Sequence, residues 1–162
     1  MIKFLTSQLV VYIFRCLTGF LVGYYLILQF PEYELFWGLL SIILVISPEG
    51  KDSKRLTIER VKSNFIGSVV GLLCVLISPK TNVYLVMLGI IITSVVCYLF
   101  SVMNMTRVAI VALLIILLQN HISEIVITPF IRFATVAIGC LIGLFITVVT
   151  YVFIEKLKRL TE

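Results

Sequence analysis

The chain has 162 residues, 61% of them hydrophobic and only 13% charged, and its mean hydropathy is +1.19. Soluble domains average about 45–50% apolar and about 25% charged residues, so this composition excludes a water-facing globular domain and places the chain in a bilayer. The net charge of +5 does not make it a nucleic-acid binder, because its basic residues are few and separated by long apolar runs.

The first residues, Met1-Ile2-Lys3-Phe4-Leu5, resemble the start of a secretory leader. Arg15 interrupts the apolar run and no small-residue cleavage site follows, so the N-terminus is expected to be retained. A membrane-crossing helix needs about 20 mostly apolar residues. Breaks at Pro, Asn or charge then divide the chain into six predicted spans, at 12–28, 35–47, 63–78, 84–100, 107–119 and 129–154. Between the second and third lies a basic segment, 49–62, with five basic and three acidic residues. It reads as a helical extension of the third span lying at the headgroups, where it fixes topology or holds anionic lipid. The fold class is therefore all-α, a single transmembrane domain over residues 1–162.

Orientation follows from the basic residues, which concentrate on the cytoplasmic side. With both termini inside, Lys3, Arg15, Lys51, Lys54, Arg55, Arg60, Lys62, Arg107, Lys156, Lys158 and Arg159 are cytoplasmic, and only Lys80 and Arg132 lie outside. Glu32, Glu34 and Glu124 fall on the outer side.

The two halves of the chain share a pattern. Residues 60–72 align with 132–144 at an offset of 72, in the frame Arg-x2-Ser/Thr-x3-Gly-x3-Gly. The same offset carries the first span onto the fourth and the second onto the fifth. Three spans per half is an odd number, so the halves enter the membrane from opposite sides, as an inverted 3+3 repeat of the kind secondary transporters use. In both halves the middle span is short. Either these short spans mark a central site, or Tyr33, Glu34 and residues 103–106 extend them to ordinary length.

Few residues stand out chemically. The pairs Gly19 and Gly23, Gly67 and Gly71, and Gly139 and Gly143 form small faces that let helix backbones approach closely, a packing role. Arg60 and Arg132 each precede a glycine face near an expected helix start, where a cation opposes the helix dipole. Either an anionic substrate group favours them there, or they snorkel to headgroups. Trp37 reads as an interface anchor or part of a substrate path. Ser41, Ser47 and Gln119 are the polar groups best placed to line such a path.

His121, the single histidine, cannot build a multi-histidine site, and Cys16, Cys74, Cys97 and Cys140 are too far apart in sequence to form a metal or redox motif, so no metal or cofactor is expected. No acidic residue lies well inside a span to relay protons, and no hydrolase, phosphate-loop or zinc-protease motif is present, so no enzyme is expected.

The order of these features resembles the fusaric acid resistance and aromatic acid exporter family. The resemblance rests on Arg15 opening the first span, Phe36-Trp37-Gly38 leading into a short second span, Pro48, Arg60 with Gly67 and Gly71, and Arg132 with Thr135 and Gly139. It covers roughly residues 15–154. It implies a six-helix unit of the bacterial cytoplasmic membrane that works in pairs and exports aromatic carboxylates or related compounds. Larger members continue into a further domain or second membrane unit, whereas here only residues 155–162 follow the last span, so a second copy is the expected partner.

The resulting expectation is a homodimeric efflux protein for an amphipathic organic anion. Arg60 would meet the anion at the cytoplasmic entrance and Arg132 at the outer exit, with Trp37, Ser41, Ser47 and Gln119 along the route. The alternative is a non-transporting membrane subunit of an envelope-assembly or lipid-handling complex, docking an unidentified membrane partner through its glycine faces.

Overall fold

The computed structural model describes residues 8–31, 35–48, 52–78, 82–118 and 127–159. These form six α-helices: α1 (Gln8–Gln29), α2 (Phe36–Val45), α3 (Ser53–Ile77), α4 (Val83–Leu99), α5 (Thr106–Leu118) and α6 (Ile127–Arg159), with a 3-10 turn at Met103–Met105 before α5. There is no strand among the described residues.

Three helices are long and apolar enough to cross a membrane: Gln8–Gln29, Ser53–Ile77 and Pro129–Lys156. The other three are apolar but shorter. At 1.5 Å per residue, α2 with its 10 residues is about 15 Å long and α5 with 13 about 20 Å. The basic segment after α2 is largely helical, since α3 begins at Ser53. Arg60 is thus the eighth residue of α3, two turns inside the helix. This corrects the expectation that it stands at a helix start against the dipole, an effect confined to the first turn.

The pattern of burial is the reverse of a water-soluble protein's. Along α1 the buried residues are Arg15, Gly19 and Gly23, one stripe of four-residue spacing. Leu9, Phe14, Leu17, Leu21, Tyr25 and Leu28 of the same helix are exposed. Large apolar side chains face outward while small and polar ones pack inward, which is stable only where the surroundings are hydrocarbon. The chain is an integral membrane protein.

Two compact units make up the chain. The first comprises Met1–Thr57 and Thr135–Glu162, and the second Ile58–Ala134. The first therefore holds α1, α2 and most of α6; the second holds most of α3, with α4 and α5. These units do not coincide with the sequence halves, since each takes two helices from one half and its third from the other.

In the first unit, Ile42, Ile46 and Ile146 form the core, with Tyr12, Cys16 and Ile142 against them. Gly19 packs on Ile42 and Ile46, and Gly23 on Leu39, so α1 lies close along α2. On the other side of α2 the approach is closer still. Gly139 of α6 meets the backbone carbonyl of Gly38, and Gly143 meets that of Ile42.

In the second unit, Ile66, Val70 and Cys74 of α3 and Ala109, Leu113 and Leu117 of α5 recur every four residues, placing one buried face of each helix around Cys97 of α4. Gly67 of α3 lies against the backbone of Ala109, Gly71 against the side chain of Ile116, and Gly89 of α4 against Leu113. The third helix of one half thus packs on the short helix of the other half in both units. The glycine faces pack against neighbouring helices within each unit.

The end of α4 shows how local chemistry closes a helix. The Ser101 amide donates to Tyr98 O at 3.1 Å and that of Val102 to Cys97 O at 3.0 Å. Ser101 has φ 57, a left-handed residue where glycine usually stands in this helix-closing motif. Val102 and Cys97 are both buried and join the same core, supplying the apolar contact that accompanies such a cap. Ser101→Gly is expected to raise stability by about 1 kcal/mol, because glycine reaches left-handed φ without a Cβ penalty. A thermal melt of the detergent-solubilised variant checks this.

Candidate functional site

A cation is costly in hydrocarbon, so the buried arginines are where function and structure are most strongly constrained. Arg15 is 2% exposed and Arg132 is 3% exposed.

Arg15 projects from the N-terminal end of the buried stripe of α1. Its Nε donates to Thr150 Oγ1 of α6 at 2.8 Å, and its Nη1 donates to the carbonyl oxygens of Ser47 at 3.0 Å and Pro48 at 3.4 Å. Those carbonyls stand just past the end of α2, where Ile46 turns to extended backbone with ψ 116. Pro48 favours the extended form in the residue before it and cannot continue the helix. The guanidinium therefore sits at the negative end of a helix dipole and supplies donors that a helix terminus lacks.

The same corner is tied further. The Ser47 amide donates to Ser53 Oγ at 3.1 Å, and Thr57 Oγ1 donates to Ser53 O at 2.8 Å. One arginine thus joins α1, the end of α2 and α6.

Sequence reading counted Arg15 only as a cytoplasmic marker and a family feature. The signal for more was present: a lone cation with long apolar runs on either side is a functional candidate by default in a membrane segment. Removing it from the cytoplasmic tally leaves ten basic residues against two, so the orientation argument keeps its direction.

The other candidate residues divide between the units. In the first, Ser41 is buried and its hydroxyl donates to the Trp37 carbonyl one turn back at 2.7 Å, while Trp37 is half-buried with its ring edge-on to Phe36 at 5.7 Å. Ser47 belongs to the Arg15 corner. In the second, Arg60 is half-buried on α3, its carbonyl accepting from Ser63 Oγ at 3.1 Å, and Arg132 is the sixth residue of α6. Gln119 lies outside the described residues.

The units differ in how their buried polar groups are satisfied. In the first, Arg15, Ser41, Ser47, Ser53, Thr57 and Thr147 all have hydrogen bonds. In the second, Asn64 Nδ2, Ser68 Oγ and Thr93 Oγ1 are buried without a partner. Asn64 and Ser68 stand one turn apart on the same face of α3.

No curated protein and no solved structure matches the chain. A family profile described as fusaric acid resistance protein-like does match, over residues 17–146. The match takes in α2 to α5 with most of α1 and α6, and with it the glycine contacts, Arg60, Arg132 and the short helices. With an all-helical architecture, apolar surfaces facing outward and a family match over most of its length, the chain belongs to the fusaric acid resistance protein-like family of membrane transport proteins.

Proposed function

We propose that this protein exports an amphipathic, aromatic-bodied organic anion across the bacterial cytoplasmic membrane. The observation that carries the reading is the family match over residues 17–146 in a chain built of outward-apolar helices. On this reading all six helices are spans of a single transmembrane domain, both termini are cytoplasmic, and the protein works as a homodimer. The paired contacts of Gly67 on Ala109 and Gly139 on Gly38 support two oppositely inserted halves, because residues 72 apart make the same kind of backbone approach.

Arg60 and Arg132 supply the positive charge. Arginine offers a planar fork of donors that matches a carboxylate, and a buried arginine attracts an anion more strongly than an exposed one, because less water screens it. The two arginines serve the same path: Arg132 precedes Phe133, whose ring meets that of Phe65, five residues beyond Arg60. No step of this transport breaks a bond, so the reading needs no enzyme chemistry and no cofactor.

The test is efflux of a panel of aromatic acids from loaded liposomes containing the purified protein. Transport of at least one acid is expected, and Arg60→Gln with Arg132→Gln is expected to lower its rate by about a hundredfold or more, the equivalent of one charge-assisted hydrogen bond lost at each arginine. Unchanged flux in the double variant removes both arginines from the mechanism. Absence of flux for every acid, with a folded protein, overturns the transport reading.

A further inference from the structure

Lys62 is the last charge of α3, and residues 63–77 after it carry none. At 1.5 Å per residue that uncharged run is about 22 Å long, so Lys62 marks where the helix passes from the headgroups into hydrocarbon. Directly on the hydrocarbon side of it, a groove of about 140 Å³ opens on the surface of the second unit. Phe65, Val69 and Leu72 of α3 line one side, and Phe130 and Phe133 of α6 the other. Phe65, Val69 and Phe130 are exposed. No polar atom faces the groove, since Ser68 lines it through carbon and its hydroxyl oxygen is buried. Lys62 is exposed, stands one turn before Phe65 on the same face, and makes no ion pair among the described residues. Glu59, one turn earlier, is half-buried and is not paired with it.

We propose that the groove and Lys62 form a site for one anionic phospholipid, with an acyl chain lying in the groove and the headgroup phosphate on the Lys62 ammonium. The part of an occupant that meets the groove must be hydrocarbon, because this lining offers a polar group no hydrogen bond. One turn nearer the headgroups it must be anionic, because an exposed ammonium at the bilayer edge attracts phosphate. The depth agrees with a lipid of one leaflet. Phe65 and Leu72 are seven residues apart, about 10 Å along the helix, and one leaflet supplies about 15 Å of hydrocarbon. A phospholipid carries both parts at that spacing. The basic segment thereby gains a defined lipid contact at Lys62 in place of a diffuse attraction, and the site stands whether or not the protein exports an anion.

The test is native mass spectrometry of the full chain released from nanodiscs of phosphatidylglycerol and phosphatidylcholine in equal amounts. One phospholipid per chain is expected to stay bound, with phosphatidylglycerol favoured about fivefold, the contribution of one lysine near the membrane surface. Lys62→Gln is expected to bring that preference close to equality and to leave phosphatidylcholine retention unchanged. Arg107→Gln is the control, because Arg107 is exposed on α5, the helix that packs on the opposite, glycine face of α3; the preference should survive it. Val69→Phe puts a ring in the groove and is expected to lower retention of both lipids about tenfold or more, the effect of roughly two buried methylenes lost. Leu72→Phe is expected to act in the same direction and carries the test if Val69→Phe does not fold.

Equal retention of the two lipids by the parent protein overturns the proposal, as does a preference that Lys62→Gln leaves in place. A loss of preference in Arg107→Gln as large as in Lys62→Gln makes the attraction diffuse and also overturns it. Retention indifferent to both Val69→Phe and Leu72→Phe excludes the groove. A lipid-free dimer that Val69→Phe converts to monomer assigns the groove to a second copy of the chain, and the proposal falls.

Discussion

Arg15→Leu is expected to destabilise the protein by about 2–4 kcal/mol, enough to lower its folded yield sharply. Leucine fills much of the space but carries no donor. The carbonyls of Ser47 and Pro48 and the hydroxyl of Thr150 then lose the contacts they make at 3.0, 3.4 and 2.8 Å. At a buried helix end with hydrocarbon around it, water does not replace those donors as it would on a soluble protein. Arg15→Lys keeps the charge but offers one compact ammonium in place of a planar fork, so it is expected to recover only part of the loss.

Thr150→Val removes the acceptor of Arg15 Nε together with the hydroxyl's own bond to the Ile146 carbonyl one turn back, and is expected to cost about 1 kcal/mol. Combined with Arg15→Leu it should add little, because both changes remove the same contact. Fluorescence-detected gel filtration after heating, on all four variants, gives the comparison. A double variant whose loss equals the sum of the singles would mean that Arg15 and Thr150 stabilise the fold independently.

Gly67→Ala and Gly139→Ala are each expected to cost about 1–3 kcal/mol, although a methyl group is the smallest addition possible. At Gly67 a Cβ would collide with the carbonyl of Ala109, and at Gly139 with the carbonyl of Gly38. Both obstacles are helix backbone, so the helices must separate along their length, with loss of the dispersion contacts that hold them together in lipid. Gly71→Ala is the control. There a Cβ would come 3.2 Å from Cβ, Cγ2 and Cδ1 of Ile116, a contact that a shift of a few tenths of an ångström relieves, so a loss under about 1 kcal/mol is expected. Melting curves in detergent should rank the three, with Gly71→Ala nearest to the parent; the opposite ranking would show that the backbone contacts at Gly67 and Gly139 yield easily.

Much of the candidate site was legible because scarcity makes some residues informative. Glycines and arginines are few in this chain, and the frame containing Gly67 and Gly71 recurs at Gly139 and Gly143, so their pairing was visible without coordinates. Which helix each pair would meet was not. The offset relates α3 to α6, but the surfaces they touch belong to α5 and α2, and no spacing along the chain encodes that exchange. The partners of Arg15 were hidden for the same reason, since Thr150 lies 135 residues away and the carbonyls it binds carry no side-chain identity. The Phe65–Phe133 contact was invisible because the two read as aromatic residues among many in apolar spans until α3 and the start of α6 bring their rings within 5.3 Å.

Composition and periodicity by themselves determined the solvent, the helical class and the approximate helix positions, because hydrocarbon leaves the backbone few ways to satisfy its own hydrogen bonds other than forming helices. The tertiary structure alone decided which small faces meet, that Arg15 closes a helix end, and that Asn64, Ser68 and Thr93 are buried without partners in one unit. The physical reason is that helix pairing in lipid depends on close fit between particular surfaces, and one apolar residue serves such a fit much as another does until its neighbour is in place.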